Sequence, residues 1–132
     1  MKKVNIGIIG LGTIGSGVYK ILNERKAEIK TLYSVDINIV KCCDISESSK
    51  TKLKIANSKF TKDFKTITRN KDIDTVIELI GGTSTAYKVS KDAIENGKNL
   101  ITANKALLAK HGKNLNSLLS KSGKRIAYEA SV

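Results

Sequence analysis

The stretch Gly10-Leu11-Gly12-Thr13-Ile14-Gly15 interrupts an apolar run and is followed by Gly17, after which an apolar, helix-like spacing resumes. Glycines in this G-x-G-x-x-G order, between a strand and a helix, suit the grip of a dinucleotide's pyrophosphate. Gly10 would allow the tight turn, Gly12 would let the pyrophosphate approach the backbone, and Gly15 would let the helix pack close to the strand. The start of the helix then offers unpaired N–H groups and a positive dipole end to the phosphates. The competing reading is a glycine-rich turn with no ligand, in which the glycines would cost stability with nothing to require them.

Asp44 is the next candidate, at the end of the run Val35 to Cys43. An acidic residue at the end of the second strand binds the ribose 2′-OH of NAD, whereas a basic one accommodates the phosphate of NADP. Asp44 lies farther beyond Gly15 than the usual spacing of about 20 residues, a distance that a long intervening helix would absorb. Lys41, Lys50 and Lys52 are basic alternatives, and Asp44 serves equally well as a helix cap or a loop residue. The choice between NAD and NADP stays open. Cys42 and Cys43 are adjacent in a strand-like run, where side chains point to opposite faces, so they are poor partners for each other and read as structural.

The elements that must position these residues follow from periodicity. Val4 to Ile9 is a buried strand, and Ile14, Val18, Ile21, Leu22 and Ile29 share one face of the helix after it. Val35 to Cys43 alternates as a second strand, while Ser46 to Lys59 shows no clear period. Asp63 to Asn70 suits a short helix, and Asp74 to Ile80 is again a buried strand, ending in Gly81-Gly82. Ser84 to Asn96 reads as a helix closed by Gly97, and Asn99 to Asn104 as a strand. Leu115, Leu118 and Leu119 mark a last helix face closed by Gly123, and Arg125 to Val132 is a last strand. Strands alternating with helices over crossover-length connections specify an α/β fold, a doubly wound Rossmann-type parallel sheet with helices on both faces.

At 132 residues the chain should hold one core. Its 40% hydrophobic and 27% charged residues exclude general disorder. The net charge of +12 favours an anionic partner, either nucleic acid or a phosphorylated small molecule. The lysines of 50–71 are scattered and aromatics make up only 5% of the chain, so a solvated face is expected there and no nucleic-acid partner. No stretch is long enough to span a bilayer, and the basic start Met1-Lys2-Lys3 leads into glycines with no cleavage site. A cytoplasmic protein without a membrane partner is expected.

Three more stretches, "IDTVIELIGG" (Ile73 to Gly82), "ITANKALLAKHG" (Ile101 to Gly112) and "YEASV" (Tyr128 to Val132), stand with the glycine loop in an order and separation that resembles the amino-terminal, cofactor-binding part of homoserine dehydrogenase. The resemblance covers nearly the whole chain and is weakest from about Ser46 to Thr61. It implies NAD(P)-dependent interconversion of L-aspartate 4-semialdehyde and L-homoserine, on the route to threonine, methionine and isoleucine. It implies that Gly10, Leu11, Gly12, Thr13, Ile14 and Gly15 form the phosphate loop, and that Ile80, Gly81 and Gly82 pass close to the cofactor. Thr102, Ala103, Asn104 and Lys105 match the family's TANK motif, whose lysine faces the reaction centre. Lys105 also follows a strand ending at the carboxyl edge of the sheet, where ligands bind in this class of fold. Hydride transfer to an aldehyde builds negative charge on oxygen, which a positioned ammonium stabilises.

The same resemblance gives Glu129 a catalytic role or, with Val132, a place in a monovalent cation site built from backbone carbonyls. The family's other cation ligands lie beyond Val132. Residues 1–132 are thereby read as the NAD(P)-binding domain, with the substrate and dimerisation domain absent, and this fragment is expected to bind NADP or NAD without turnover. The small-molecule substrate and a homo-oligomer belong to the full-length enzyme. Cys43 stands where family members often carry a basic residue near the adenosine end of the cofactor. His111 reads as a surface or helix-start residue. Rival readings are another dehydrogenase on the same cofactor fold, a nonenzymatic dinucleotide sensor, which would need no ammonium at Lys105, and a basic DNA-binding domain.

Overall fold

β-Branched apolar runs form the strands β1 (Lys2–Ile9), β2 (Val35–Cys43), β3 (Phe60–Thr61), β4 (Thr75–Glu78), β5 (Asn99–Thr102) and β6 (Ile126–Tyr128) in a computed structural model that describes residues 1–124 and 126–128. Between them lie α1 (Thr13–Glu24), α2 (Lys26–Tyr33), α3 (Ser48–Lys52), α4 (Lys65–Thr68), α5 (Ser84–Glu95) and α6 (Lys105–Ser122). All strands pair in parallel, in the order β3-β2-β1-β4-β5-β6. This is the doubly wound Rossmann order, which reverses direction between β1 and β4 and leaves a crevice at their carboxyl ends.

Side-chain alternation along the strands supplies two apolar layers. Ile6, Ile8, Cys42 and Ile77 pack on one face with Leu11, Val18, Tyr19 and Leu22. Ile9, Cys43 and Val76 pack on the other with Ile67, Val89, Leu107 and Leu115. The adjacent cysteines thus enter opposite cores as free thiols, and burial pushes each up to about 12.

The long helix face expected through Ile29 is divided, because Arg25 (φ −102°, ψ 13°) closes α1 and opens α2. Ile14 and Ile21 also leave the buried face, at 63% and 53% exposure. The cause is Gly15. A Cβ there would stand 1.8 Å from the carbonyl oxygen of Gly10, so this bare position is turned against the end of β1. That contact fixes the rotation of α1, sending Val18, Tyr19 and Leu22 to the core and Ile14 outward. The aperiodic segment 46–59 holds α3 and a 3₁₀ turn at Asn57–Lys59, tied down by buried Ile55. The last helix begins at Lys105, well before the leucines that mark it in the sequence. His111 is therefore mid-helix, its ring stacked on Tyr87 of α5 at 3.9 Å between centroids. Among the described residues no helix is long and apolar enough to cross a membrane.

Candidate cofactor site

The glycine loop is built before any ligand is considered. Gly10 takes φ +103°, and a Cβ there would meet the backbone of Leu79 at 2.7 Å, so only glycine lets β1 turn this close to β4. The Gly10 N–H donates to the Cys43 carbonyl at 2.9 Å, and the Leu11 N–H donates to Asp44 Oδ2 at 2.8 Å. The Leu11 carbonyl accepts the Ser16 and Ser49 hydroxyls at 2.8 and 2.6 Å. Leu11 itself is fully buried.

Past this anchored turn, Gly12 starts α1 with no side-chain cap and no acidic residue in the first turn. First-turn N–H groups have no carbonyl of their own helix to bond, so they are left for a ligand. The space a Cβ would take at Gly12 is open, with nothing within 4 Å. That opening belongs to two cavities. One, of about 390 Å³, is lined by Gly12, Thr13, Ile14, Leu79, Ile80, Gly81, Ala103, Asn104 and Lys105. The other, of about 320 Å³, is lined by Gly10, Gly12, Cys43, Asp44, Ile45, Lys62, Phe64 and Thr85, and again by Leu79, Ile80 and Gly81. The glycine loop and the Ile80–Gly81 edge thus stand between two compartments, the arrangement required by a ligand with a phosphate bridge at its middle.

The edge is organised from below by Glu78, the fully buried last residue of β4. Its Oε2 accepts from the Ile80 N–H at 2.6 Å and its Oε1 accepts from the Thr102 hydroxyl at 2.7 Å. Burial pushes this carboxyl above the ordinary carboxylate range, and the two donors oppose the shift. The Thr102 hydroxyl oxygen accepts from the Asn104 N–H at 3.0 Å. Asn104 then caps α6, its Oδ1 accepting from the Leu107 N–H at 2.9 Å, while its Nδ2 donates to the Ile80 and Gly82 carbonyls at 3.1 and 2.6 Å. This places exposed Lys105, the first residue of α6, at the wall of the larger cavity.

The structure brings Gly10, Gly12, Thr13, Ile14, Ile80, Gly81, Ala103, Asn104, Lys105 and Asp44 to the two cavities. Leu11, Gly15 and Thr102 are buried behind those walls, Gly82 is exposed, and none of the four lines either cavity. Asp44 lies directly after β2, but it caps no helix. One oxygen holds the glycine loop and the other accepts from the Ser46 N–H at 3.3 Å. Of the basic side chains near that end, the cavity takes Lys62, which the sequence did not single out, and not Lys41, Lys50 or Lys52. Lys62 also reaches Glu47 at 3.7 Å. Glu78 was missed as well, although a lone carboxylate inside an otherwise apolar strand run was a legible signal. Glu129 and Val132 lie outside the described residues, and among those described no cluster of His, Cys, Asp or Glu could hold a metal ion.

Residues 10–129 match a family model described as homoserine dehydrogenase, NAD binding domain. The chain is 41% identical, over its whole length, to homoserine dehydrogenase of Neisseria gonorrhoeae, of which it covers 30%, and 36% identical to that of Pseudomonas aeruginosa, with the same coverage. It superimposes on crystalline S. aureus homoserine dehydrogenase with a TM-score of 0.88 and 39% identity, covering all of this chain and 33% of that one. The chain therefore spans about 30% of the length of the curated relatives it matches.

Proposed function

The chain belongs to the homoserine dehydrogenase family, and on that premise we propose that residues 1–132 are the NAD(P)-binding domain of an enzyme interconverting L-aspartate 4-semialdehyde and L-homoserine. The observation that carries this is the pair of cavities meeting at Gly12, with Asp44 in one and Lys105 in the other. Asp44 marks the adenosine end, because the residue after the second strand meets the ribose in this fold. The larger cavity is then the nicotinamide end. The open Cβ space at Gly12 and the uncapped start of α1 fit a pyrophosphate between them.

The bound cofactor supplies or accepts the hydride. This chain's residues orient it and handle charge at the substrate oxygen. Ile14 and Ile80 give the larger cavity apolar walls. Lys105 stands at that wall as a donor able to stabilise a substrate alkoxide and deliver its proton. In this reading the substrate and dimer-forming domain lies outside these residues, and the complete enzyme is a cytoplasmic homo-oligomer. The isolated domain binds cofactor and turns over nothing.

Calorimetric titration of this chain with NADPH and NADH tests the proposal. Saturable binding is expected, and the preferred form reports whether Asp44 or Lys62 dominates the adenosine end; a folded chain that binds neither would overturn it. In the complete enzyme, Lys105→Ala is expected to lower turnover sharply and to spare cofactor affinity. A sensor would require no ammonium at that wall, so unchanged turnover would remove the catalytic role of Lys105.

A further inference from the structure

We propose that Glu78 is a positioning residue for one half of the crevice: its carboxylate sets the Ile80–Gly81 edge against Asn104 and Lys105, and so governs how the nicotinamide half of a dinucleotide is held. The proposal rests on the cofactor reading above and goes beyond it to a residue that lines neither cavity.

The hydrogen-bond directions leave little freedom. The Thr102 hydroxyl has one proton, and its oxygen already accepts from the Asn104 N–H. Its proton is directed at Glu78 Oε1. Oε2 faces a backbone N–H at 2.6 Å, which only donates. In this arrangement both carboxyl oxygens accept. The group is fully buried, and among the described residues it makes no salt bridge. A buried carboxyl without a cation partner is a weak source of stability compared with an apolar residue of similar size. What it contributes is geometry. It ties the end of β4 to the end of β5, and Thr102 passes the restraint to Asn104, which grips the Ile80 and Gly82 carbonyls and starts the helix that carries Lys105. The Ile80–Gly81 edge borders both cavities, but Ala103, Asn104 and Lys105, at the end of the chain of bonds from Glu78, line only the larger one, while the adenosine side has bonds of its own from Leu11 and Ser46 to Asp44. Disturbing Glu78 should therefore weaken the hold on the nicotinamide half far more than the hold on the adenosine half.

Glu78→Gln keeps the shape but replaces one acceptor by a donor, so it cannot receive both bonds. The experiment is calorimetry on the full 132-residue chain, with the preferred reduced dinucleotide and with the same nucleotide lacking nicotinamide, ADP-ribose or its 2′-phosphate. The parent chain is expected to bind the dinucleotide more tightly than the truncated probe. Glu78→Gln is expected to remove about tenfold of that advantage, with affinity for the truncated probe unchanged within about twofold. Retention of the advantage overturns the proposal. So does a parallel loss for both ligands, which would make Glu78 a general scaffold residue, and so does a parent chain that binds both equally. A folded parent chain that binds neither overturns the cofactor reading itself. Thr102→Val, which removes the hydroxyl between Glu78 and Asn104 at nearly constant volume, must show the same selective loss and supplies the test if Glu78→Gln does not fold.

Discussion

Three glycines of the first βα unit should respond to the same substitution, glycine to alanine, in three different ways. At Gly15 the new methyl would lie 1.8 Å from the Gly10 oxygen and 2.8 Å from its carbon, both backbone atoms that cannot swing aside. Accommodation requires α1 or the loop to recede by more than an ångström. Overpacking of this kind costs about 1–3 kcal/mol or more, and the gain of alanine over glycine in a helix returns roughly 1 kcal/mol at most. Gly15→Ala should therefore destabilise by up to about 2 kcal/mol. At Gly17, on the same helix, nothing lies within 4 Å, so only the propensity term acts and Gly17→Ala should stabilise by about 0.5–1 kcal/mol. Gly12 is open too, and its φ of −70° and ψ of −156° suit any residue. Its methyl would, however, project into the space shared by the two cavities. Gly12→Ala should leave stability within about 0.5 kcal/mol and weaken cofactor binding at least about tenfold, a loss of roughly 1.4 kcal/mol. Urea denaturation of all three variants and calorimetry on Gly12→Ala supply the measurements. If Gly15→Ala proved as stable as Gly17→Ala, the close approach of α1 to β1 would be wrong. Parent-like binding by Gly12→Ala would remove the pyrophosphate from this position.

Asn104 joins two functions that substitutions can separate. Asn104→Ala loses the cap on α6 and the bonds to Ile80 and Gly82, and should cost about 1–2 kcal/mol in thermal melts. Asn104→Asp restores the acceptor for the Leu107 N–H but sets a carboxylate against two carbonyl oxygens, so at most the cap's share of the stability should return while dinucleotide affinity remains low. A variant that recovered both would show that the Nδ2 bonds do not shape the site. The thiols of Cys42 and Cys43, raised to about 12 from an ordinary value near 9.0, should resist thiol reagents in the native chain at pH 8 and react on unfolding. The folded state keeps these protons where the unfolded chain releases them. Their contribution to stability is thus complete below about pH 9 and declines as pH rises towards 12. Replacement of both by alanine should flatten that alkaline decline, and an unchanged slope would assign it elsewhere.

Local chemistry determined a large part of this molecule. Runs such as Val35–Cys43 and Thr75–Glu78 form strands because β-branched residues suit a pleated, buried backbone. The G-x-G-x-x-G spacing marked the crevice because the tight turn, the open start of α1 and the approach of Gly15 to Gly10 all lie within six residues. Alternation along β2 was enough to send Cys42 and Cys43 to opposite cores. The helical period of α1 was legible, but its rotation was not. Ile14 and Ile21 fit the period and are exposed all the same, since the contact of Gly15 with Gly10 decides which face turns inward. Asp44 was visible as an acidic residue after the second strand, yet its bond to Leu11 spans 33 positions and depends on β1 and β2 lying side by side. Glu78 depends in the same way on β5, 24 positions on, reaching register with β4 so that Thr102 faces it. Periodicity and turn chemistry act over a few residues and are written in the sequence. Which carboxylate meets which hydroxyl or amide is set by strand register and helix rotation, and these exist only once the sheet has assembled.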